Sequence, residues 1–182
     1  MKIDVEHIVA GCQRKEPRAQ RMLYEAFAPE MLGVCMRYTH SRDEAQDLLH
    51  DGFIKIFDRI GQLRNPQSVA AWMYRIMVSE SVSYVRRSSE VVCCDMSELE
   101  GSEALPADGG EWMDTDGYDV ARVVRALRQL PDHYRLAFNM REVEEMEYAD
   151  IAEELGQPET TVRNYAWRAR RMIKEIIDNE KA

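Results

Sequence analysis

Apolar residues recur every three to four positions along most of the chain, the spacing of amphipathic α-helices, while the alternation of β-strands is hard to find. The first predicted helix follows Asp4, a candidate N-cap, and a long one covers 17–38. A third begins after Ser41, which forms a capping box with Glu44, and a fourth covers 68–87. The pattern predicts an all-α protein that begins with a compact four-helix bundle.

The second helix is predicted to bury one apolar stripe against this bundle. Its members are Ala19, Met22, Leu23, Ala26, Phe27, Met31, Leu32, Cys35 and Met36.

Periodicity fades after the fourth helix, where acidic residues, glycine and proline accumulate as in a solvated linker. A helical pattern returns near residue 120 and continues to the end of the chain. We therefore predict two small helical domains, 1–87 and 120–182, joined by an acidic flexible linker over 88–119.

The charge distribution changes what the composition implies. The 182 residues carry a formal net charge of −9, which by itself argues against nucleic-acid binding, because affinity for phosphates comes mainly from Lys and Arg. However, residues 1–87 carry 13 basic and 11 acidic side chains, residues 88–121 carry 0 and 10, and residues 122–182 carry 11 and 12. Outside the middle stretch the chain is nearly neutral, so local basic clusters can act on DNA.

The segment from Tyr148 to Trp167 has the register of a helix-turn-helix. Ala152 supplies the small residue where the two helices touch, Gly156 allows the turn, and Val162 fills the shared core. The outward face of the second helix is predicted to read DNA, because Arg pairs with guanine and Asn with adenine in the major groove. This face and the start of the helix contain Thr160, Thr161, Arg163, Asn164, Trp167, Arg168 and Arg171.

These residues resemble a known family over nearly the whole chain. Residues 130–135, 148–156, 161–163 and 168–170 resemble region 4 of the sigma-70 family, the specificity subunits of bacterial RNA polymerase. Residues 42–57 resemble sigma region 2.2, and residues 71–87 resemble regions 2.3 and 2.4. Because two independent matches occur in the right order with no further region between them, the chain resembles the extracytoplasmic-function group, also called group IV.

The resemblance implies three binding sites. Core polymerase would bind region 2.2, at Asp43, Glu44, Asp47, Leu48, Asp51 and Phe53. The melted minus-ten DNA would contact Asn65, Gln67, Ser68, Trp72, Arg75, Ser79, Ser83, Arg86 and Arg87. The minus-thirty-five duplex would contact the helix-turn-helix face given above.

Two aromatic residues keep alternative interpretations. Phe53 is either an apolar anchor for the polymerase or part of the helical core. Trp72 either stacks on an exposed base or packs inside the bundle. The rival for the whole chain is a stand-alone helix-turn-helix repressor or activator, which would bind duplex DNA as a dimer without polymerase.

The remaining chemistry argues for a cytoplasmic protein without enzyme activity or cofactor. Cys12, Cys35, Cys93 and Cys94 lack the spacing of a disulfide framework or a zinc site, which fits a reducing compartment. No glycine-rich phosphate loop is evident, and no apolar run is long enough to span a membrane. The expected partners are the polymerase core and promoter DNA, with an anti-sigma factor as a further partner that this family often has.

Overall fold

The computed structural model describes residues 4–88 and 120–179. Within these ranges the chain forms helices and short helical turns and no β-strand, which confirms the all-α class. The chain divides into two compact units, Met1–Tyr84 and Val85–Ala182. Apart from Ser88, the predicted linker lies outside the described residues, as do Cys93 and Cys94 within it.

The first unit is built from four helices connected by short turns. These are α1 (Val5–Gln13), α2 (Pro17–Tyr38), α3 (Arg42–Arg59) and α4 (Val69–Ser88), with 3-10 turns at Ile60–Gln62 and Pro66–Ser68 between α3 and α4. The predicted bundle therefore forms with nearly the predicted helix bounds.

Local capping explains where two of these helices begin. The Asp4 side chain accepts a hydrogen bond from the backbone N–H of His7 at 3.1 Å, which starts α1. Ser41 accepts from the N–H of Glu44 at 3.1 Å, as the capping box predicts. The Glu44 carboxylate reaches back to the N–H of His40, one residue before the cap, at 3.1 Å. Both starts were readable from sequence because the contacts span only a few residues.

The inner face of α2 differs from the predicted stripe at three positions. Met22 is 41 % exposed, whereas Val34 and Tyr38 are buried. A helix turns about 100° per residue, so Met22 lies roughly 100° around the helix from the buried Leu23. The predicted stripe therefore wrongly included Met22 and left out Val34 and Tyr38.

A close approach sets how α3 lies against α4. A Cβ added at Gly52 would lie 2.5 Å from the sulfur of Met77, so any larger residue there would require the Met77 side chain to move. Lys55 on α3 also forms an ion pair with Glu80 of α4, which is 7 % exposed. These contacts bring the two helices together and leave the opposite face of α3 exposed to solvent.

The second unit packs three helices against a long fourth one. The helices are α5 (Val120–Gln129), α6 (Asp132–Phe138), α7 (Tyr148–Leu155) and α8 (Glu159–Asn179), with a π-helical turn at Asn139–Val143. Their shared core contains Ala126, Leu127, Leu130, Tyr134, Ala137, Phe138, Tyr165, Ala166, Ala169, Ile173 and Ile177.

The turn between α7 and α8 has the geometry that the helix-turn-helix register predicts. Gly156 ends α7 in the left-handed conformation, with φ 63° and ψ 34°. The N–H of Gln157 donates to the carbonyl of Ala152 at 3.0 Å, and the N–H of Gly156 donates to that of Glu153 at 3.2 Å. This bond pattern is a Schellman cap, which favours glycine because other residues pay a steric cost there.

Among the described helices, none combines the length and the apolar character that crossing a bilayer requires.

Candidate polymerase and DNA interfaces

The exposed face of α3 is acidic. Asp43, Asp47 and Asp51 are all exposed and follow one another at intervals of four residues, which places them along one side of the helix. Glu44 is half-buried because it completes the cap at the start of α3. We call Asp43, Asp47 and Asp51 the α3 acidic face.

Two residues expected on this binding surface lie in the core instead. Leu48 and Phe53 are each 2 % exposed. The Phe53 ring lies 4.7 Å from that of Tyr24 and 5.9 Å from that of Phe57, measured between centroids. Both residues point to the buried side of α3, so they support the acidic face from behind rather than offering a contact surface.

The apolar residue that does reach solvent on α3 is Ile54, which is 59 % exposed. It follows Asp47 by seven residues and Asp51 by three, so it shares their side of the helix. Sequence reasoning gave Ile54 no role. The spacing from the two aspartates was the available signal.

The segment between α3 and α4 is shaped by its own polar side chains. Asn65 accepts a hydrogen bond from the N–H of Gln67 at 3.1 Å, and the hydroxyl of Ser68 donates to the carbonyl of Asn65 at 2.8 Å. Asn65 and Gln67 are exposed, and Ser68 is half-buried. The three candidate minus-ten residues of this segment therefore lie together on one short turn, Asn65–Ser68.

One face of α4 continues the candidate minus-ten surface. Its candidate residues up to Arg86 follow one another at intervals of three or four positions, and Arg87 is next to Arg86, so a helix presents them on one broad side. Arg75, Ser79, Arg86 and Arg87 are exposed, and Trp72 and Ser83 are half-buried. The half-buried position of Trp72 is compatible with both of its interpretations.

The inward face of α8 agrees with the predicted register. Val162, Ala166, Ala169 and Ile173 are fully buried. On the other side Thr160, Arg163 and Arg171 are exposed, while Thr161, Asn164, Trp167 and Arg168 are half-buried. Because α8 begins at Glu159, Thr160 and Thr161 lie in its first turn.

Arg163 is held in place by two neighbours. Its Nε and a terminal nitrogen donate to one carboxylate oxygen of Glu159 at 3.0 and 2.6 Å. Its guanidinium also lies 4.5 Å from the centroid of the Tyr148 ring, and that of Arg141 lies 4.7 Å from the same ring. Sequence reasoning used Tyr148 only to count the motif and gave Glu159 no role. Arg141 was also missed.

The other arginines of α8 are held less uniformly. Arg168 donates to the hydroxyl of Tyr134 at 3.2 Å, so this arginine is partly used inside the unit rather than turned fully outward as expected. Arg171 lies 5.2 Å from the Trp167 ring centroid. Arg170 forms an ion pair with Glu142, and both side chains are largely buried. The contacts of Arg168 and Arg170 join α8 to α6 and to the π-helical turn, whereas that of Arg171 lies within α8.

The described cysteines, Cys12 and Cys35, are free, buried thiols. Burial raises the pKa of Cys12 to about 11, with a further contribution from the Glu16 carboxylate. Burial likewise raises the pKa of Cys35 to about 12. Both thiols therefore stay protonated and unreactive near neutral pH. In the described ranges no three His, Cys, Asp or Glu side chains lie together as metal ligands.

Comparison with known proteins bears on both units. The family profile "Sigma-70 region 2" matches residues 23–91, and "Sigma-70, region 4" matches residues 121–173. The RNA polymerase sigma-H factor of Pseudomonas aeruginosa is 31 % identical over 179 residues, covering 94 % of this chain and 93 % of that protein. The ECF RNA polymerase sigma-E factor of Haemophilus influenzae is 28 % identical over 178 residues, covering 93 % of each.

A solved structure is also similar. The sigma factor RpoE of Bartonella quintana, in complex with the anti-sigma factor NepR, is 19 % identical with a TM-score of 0.49, covering 87 % of this chain and 96 % of that one. The family matches do not favour a stand-alone regulator, since region 2 accompanies region 4 in the expected order. The chain therefore belongs to the sigma-70 family of RNA polymerase sigma factors, in its extracytoplasmic-function group.

Proposed function

We propose that this sigma factor recognises promoters at two points, with a division of labour between its two units. Residues 1–87 bind core polymerase and the melted minus-ten strand, residues 120–182 bind the minus-thirty-five duplex, and residues 88–119 tether them. The observation that carries this proposal is the α8 face, where Arg163 and Asn164 are accessible while Val162 and Ala166 are fully buried.

Core polymerase binds the α3 acidic face in this proposal. Three exposed carboxylates along one side of a helix attract a basic surface and orient it, because complementary charge raises the association rate and penalises wrong partners. Ile54 adds apolar area within the same face, which favours a partner that buries the helix rather than one that only approaches it.

The minus-ten strand binds the Asn65–Ser68 turn and the outer face of α4. A base that leaves the stack loses stacking and pairing energy, so the protein must return contacts to it. Asn65 and Gln67 offer amides and Trp72 offers part of a ring, while Arg75, Arg86 and Arg87 can hold backbone phosphates. Ser79 and Ser83 lie between these groups on the same face of α4.

The minus-thirty-five duplex binds the outer face of α8. Arg163 and Asn164 are the proposed base readers, because their side chains match guanine and adenine in the major groove. Arg168 and Arg171 are proposed to contribute from the middle of the helix, with Trp167 between them. Thr160 and Thr161, in the first turn, are placed to reach phosphates.

Run-off transcription with purified core polymerase tests the proposal. Start sites that depend on this chain are mapped, and binding to core and to promoter duplex is measured separately. Defined start sites together with core binding are expected. A chain that shifts duplex DNA as a dimer and fails to bind core would overturn the proposal in favour of a repressor or activator.

Two further assignments extend the proposal. Both partners, polymerase and promoter DNA, are in the cytoplasm of bacteria, and we place the protein there, acting as a transcription initiation factor without catalysis of its own. Anti-sigma control is common in the extracytoplasmic-function group, so an anti-sigma protein is included among the proposed partners.

A further inference from the structure

Helix α1 holds the segment that connects α3 to α4. The side-chain nitrogen of Gln13 donates to the backbone carbonyl of Ile60 at 3.2 Å and to that of Leu63 at 3.1 Å. At the other end of the segment, the amide nitrogen of Gln67 donates to the carboxylate of Glu6 at 2.9 Å. Asn65 lies between these two attachments.

The contact of Gln13 is specific in its chemistry. A side-chain amide nitrogen has two N–H donors, and both are used here on carbonyl oxygens. Those carbonyls belong to Ile60 and Leu63, which bound the 3-10 turn that ends α3 and are themselves buried. The backbone of this irregular turn is thus satisfied by a side chain that is 47 and 50 residues away in sequence.

Helix α1 is well anchored and can serve as a support. Ile8, Val9 and Cys12 are buried in the first unit. A Cβ added at Gly11 would lie 2.5 Å from the Cβ of Ala19, so α1 lies close against the start of α2. Position 23, where the region 2 profile begins, comes after α1, so the profile does not include this support.

We propose that Gln13 and Glu6 are positioning residues for capture of the minus-ten base. Gln13 holds the chain at Leu63, two residues before the Asn65–Ser68 turn, and Glu6 holds Gln67 within it, so the turn is already ordered before an extruded base arrives and less conformational entropy is lost on binding. This inference rests on the proposed function, since it assumes that the turn receives a base.

The test is a cycle that crosses protein variants with missing bases. The full chain, bound to core polymerase, is titrated with the single-stranded minus-ten element of a promoter found by run-off transcription. A series of strands carries one abasic position each. In the wild-type chain, the abasic position that weakens binding most identifies the captured base.

The key variant is Gln13→Glu, which keeps the shape of the side chain and replaces the donor with a carboxylate facing two carbonyls. We expect affinity for the intact strand to fall about tenfold, from the loss of two hydrogen bonds that order the turn. Affinity for the strand that lacks the captured base should change less than about twofold, because ordering the turn no longer matters there. Gln20→Glu on α2 is the matched control and should behave as wild type.

Glu6→Ala provides a second variant, because the hydrogen bond of Glu6 is exposed, its loss leaves the core intact, and alanine adds no positive charge that would itself attract the DNA strand. It is expected to show the same pattern with a smaller loss, and both variants should bind core polymerase as the wild type does. An equal loss on intact and abasic strands would show a general structural role and overturn the inference. If no abasic position affects wild-type binding, base capture itself is wrong, and the proposed function fails at this site.

Discussion

The α3 acidic face and the outer face of α8, which we propose reads DNA and call the reading face, present their charges in different ways. Asp43, Asp47 and Asp51 face solvent along an otherwise regular helix. On α8, by contrast, Arg163 is held by Glu159 and the Tyr148 ring, and Arg168 by the Tyr134 hydroxyl. The first surface suits attraction of a large charged partner, while the proposed DNA-binding arginines of the second make contacts within their own unit.

This difference matches how precise the side-chain geometry of each proposed interface has to be. Charge complementarity between two protein surfaces tolerates small displacements, since it acts mainly through association rate and orientation. Base reading depends on bidentate hydrogen bonds with a narrow geometry. A guanidinium that is stacked on a ring and paired with a carboxylate loses less freedom when it binds a base edge, although the carboxylate must then be displaced.

The largest expected effect comes from reversing charges on the α3 acidic face. Replacing Asp47 and Asp51 by Lys places like charges against a basic partner and should weaken core binding about a hundredfold, or about 3 kcal/mol. Fluorescence anisotropy with labelled chain and core polymerase measures this. Glu25→Lys combined with Glu30→Lys, two exposed charge reversals on α2, is the control for net charge. Equal losses for both would mean that only total charge matters.

On the reading side, Asn164→Ala should reduce promoter binding by about 1 to 3 kcal/mol, the range of one bidentate base contact. Binding to core polymerase should not change, because Asn164 lies on α8 and not on α3. Affinity of the polymerase-bound chain for promoter duplex is the measurement, with Asn179→Ala at the far end of α8 as the control. A parallel loss of core binding would contradict the division of labour.

Substitution of Gly156, in the turn that precedes α8, should have a smaller effect, which is a loss of stability. Gly156→Ala forces a side chain into the left-handed region and should lower the free energy of unfolding of the second unit by about 1 to 2 kcal/mol. Gly33→Ala is the matched contrast in α2, where nothing lies within 4 Å of the added Cβ. It should raise stability by about 0.5 to 1 kcal/mol, since alanine favours helix. Urea unfolding followed by circular dichroism distinguishes the two signs.

The smallest expected effect concerns the ion pair between Arg163 and Glu159. Glu159→Gln removes the exposed ion pair and should raise affinity for promoter duplex by about 0.5 kcal/mol at low salt, because DNA no longer competes with the carboxylate. Asp178→Asn makes the same charge change at the end of α8 and serves as the control. Binding measured at two salt concentrations checks this, and a drop in affinity would indicate that Glu159 itself contacts a base.

Much of the fold was predictable because its signals are local. Ser41 starts α3 through a contact three residues away, and Gly156 ends α7 through bonds within its own last turn. The division of α8 into a buried and an outer face followed from period alone. The predicted sites on α4 and α8 are grouped on helix faces for the same reason.

The errors occurred where a choice depended on neighbours from elsewhere in the chain. Phe53 was assigned to the polymerase-binding surface with a core position as its alternative, and its burial and packing against Tyr24 favour the core position. Arg168 was expected to be turned outward, but a tyrosine 34 residues away partly occupies it.

By itself the amino-acid sequence determined the helices, their caps, the two units and the family, because periodicity, capping and motif spacing act over a few residues at a time. Only the tertiary structure decided that Gln13 supports the turn at Ile60–Leu63 and that Tyr148 lies beneath Arg163. Such contacts join side chains from different helices, and their existence depends on how the helices pack, which no local pattern records.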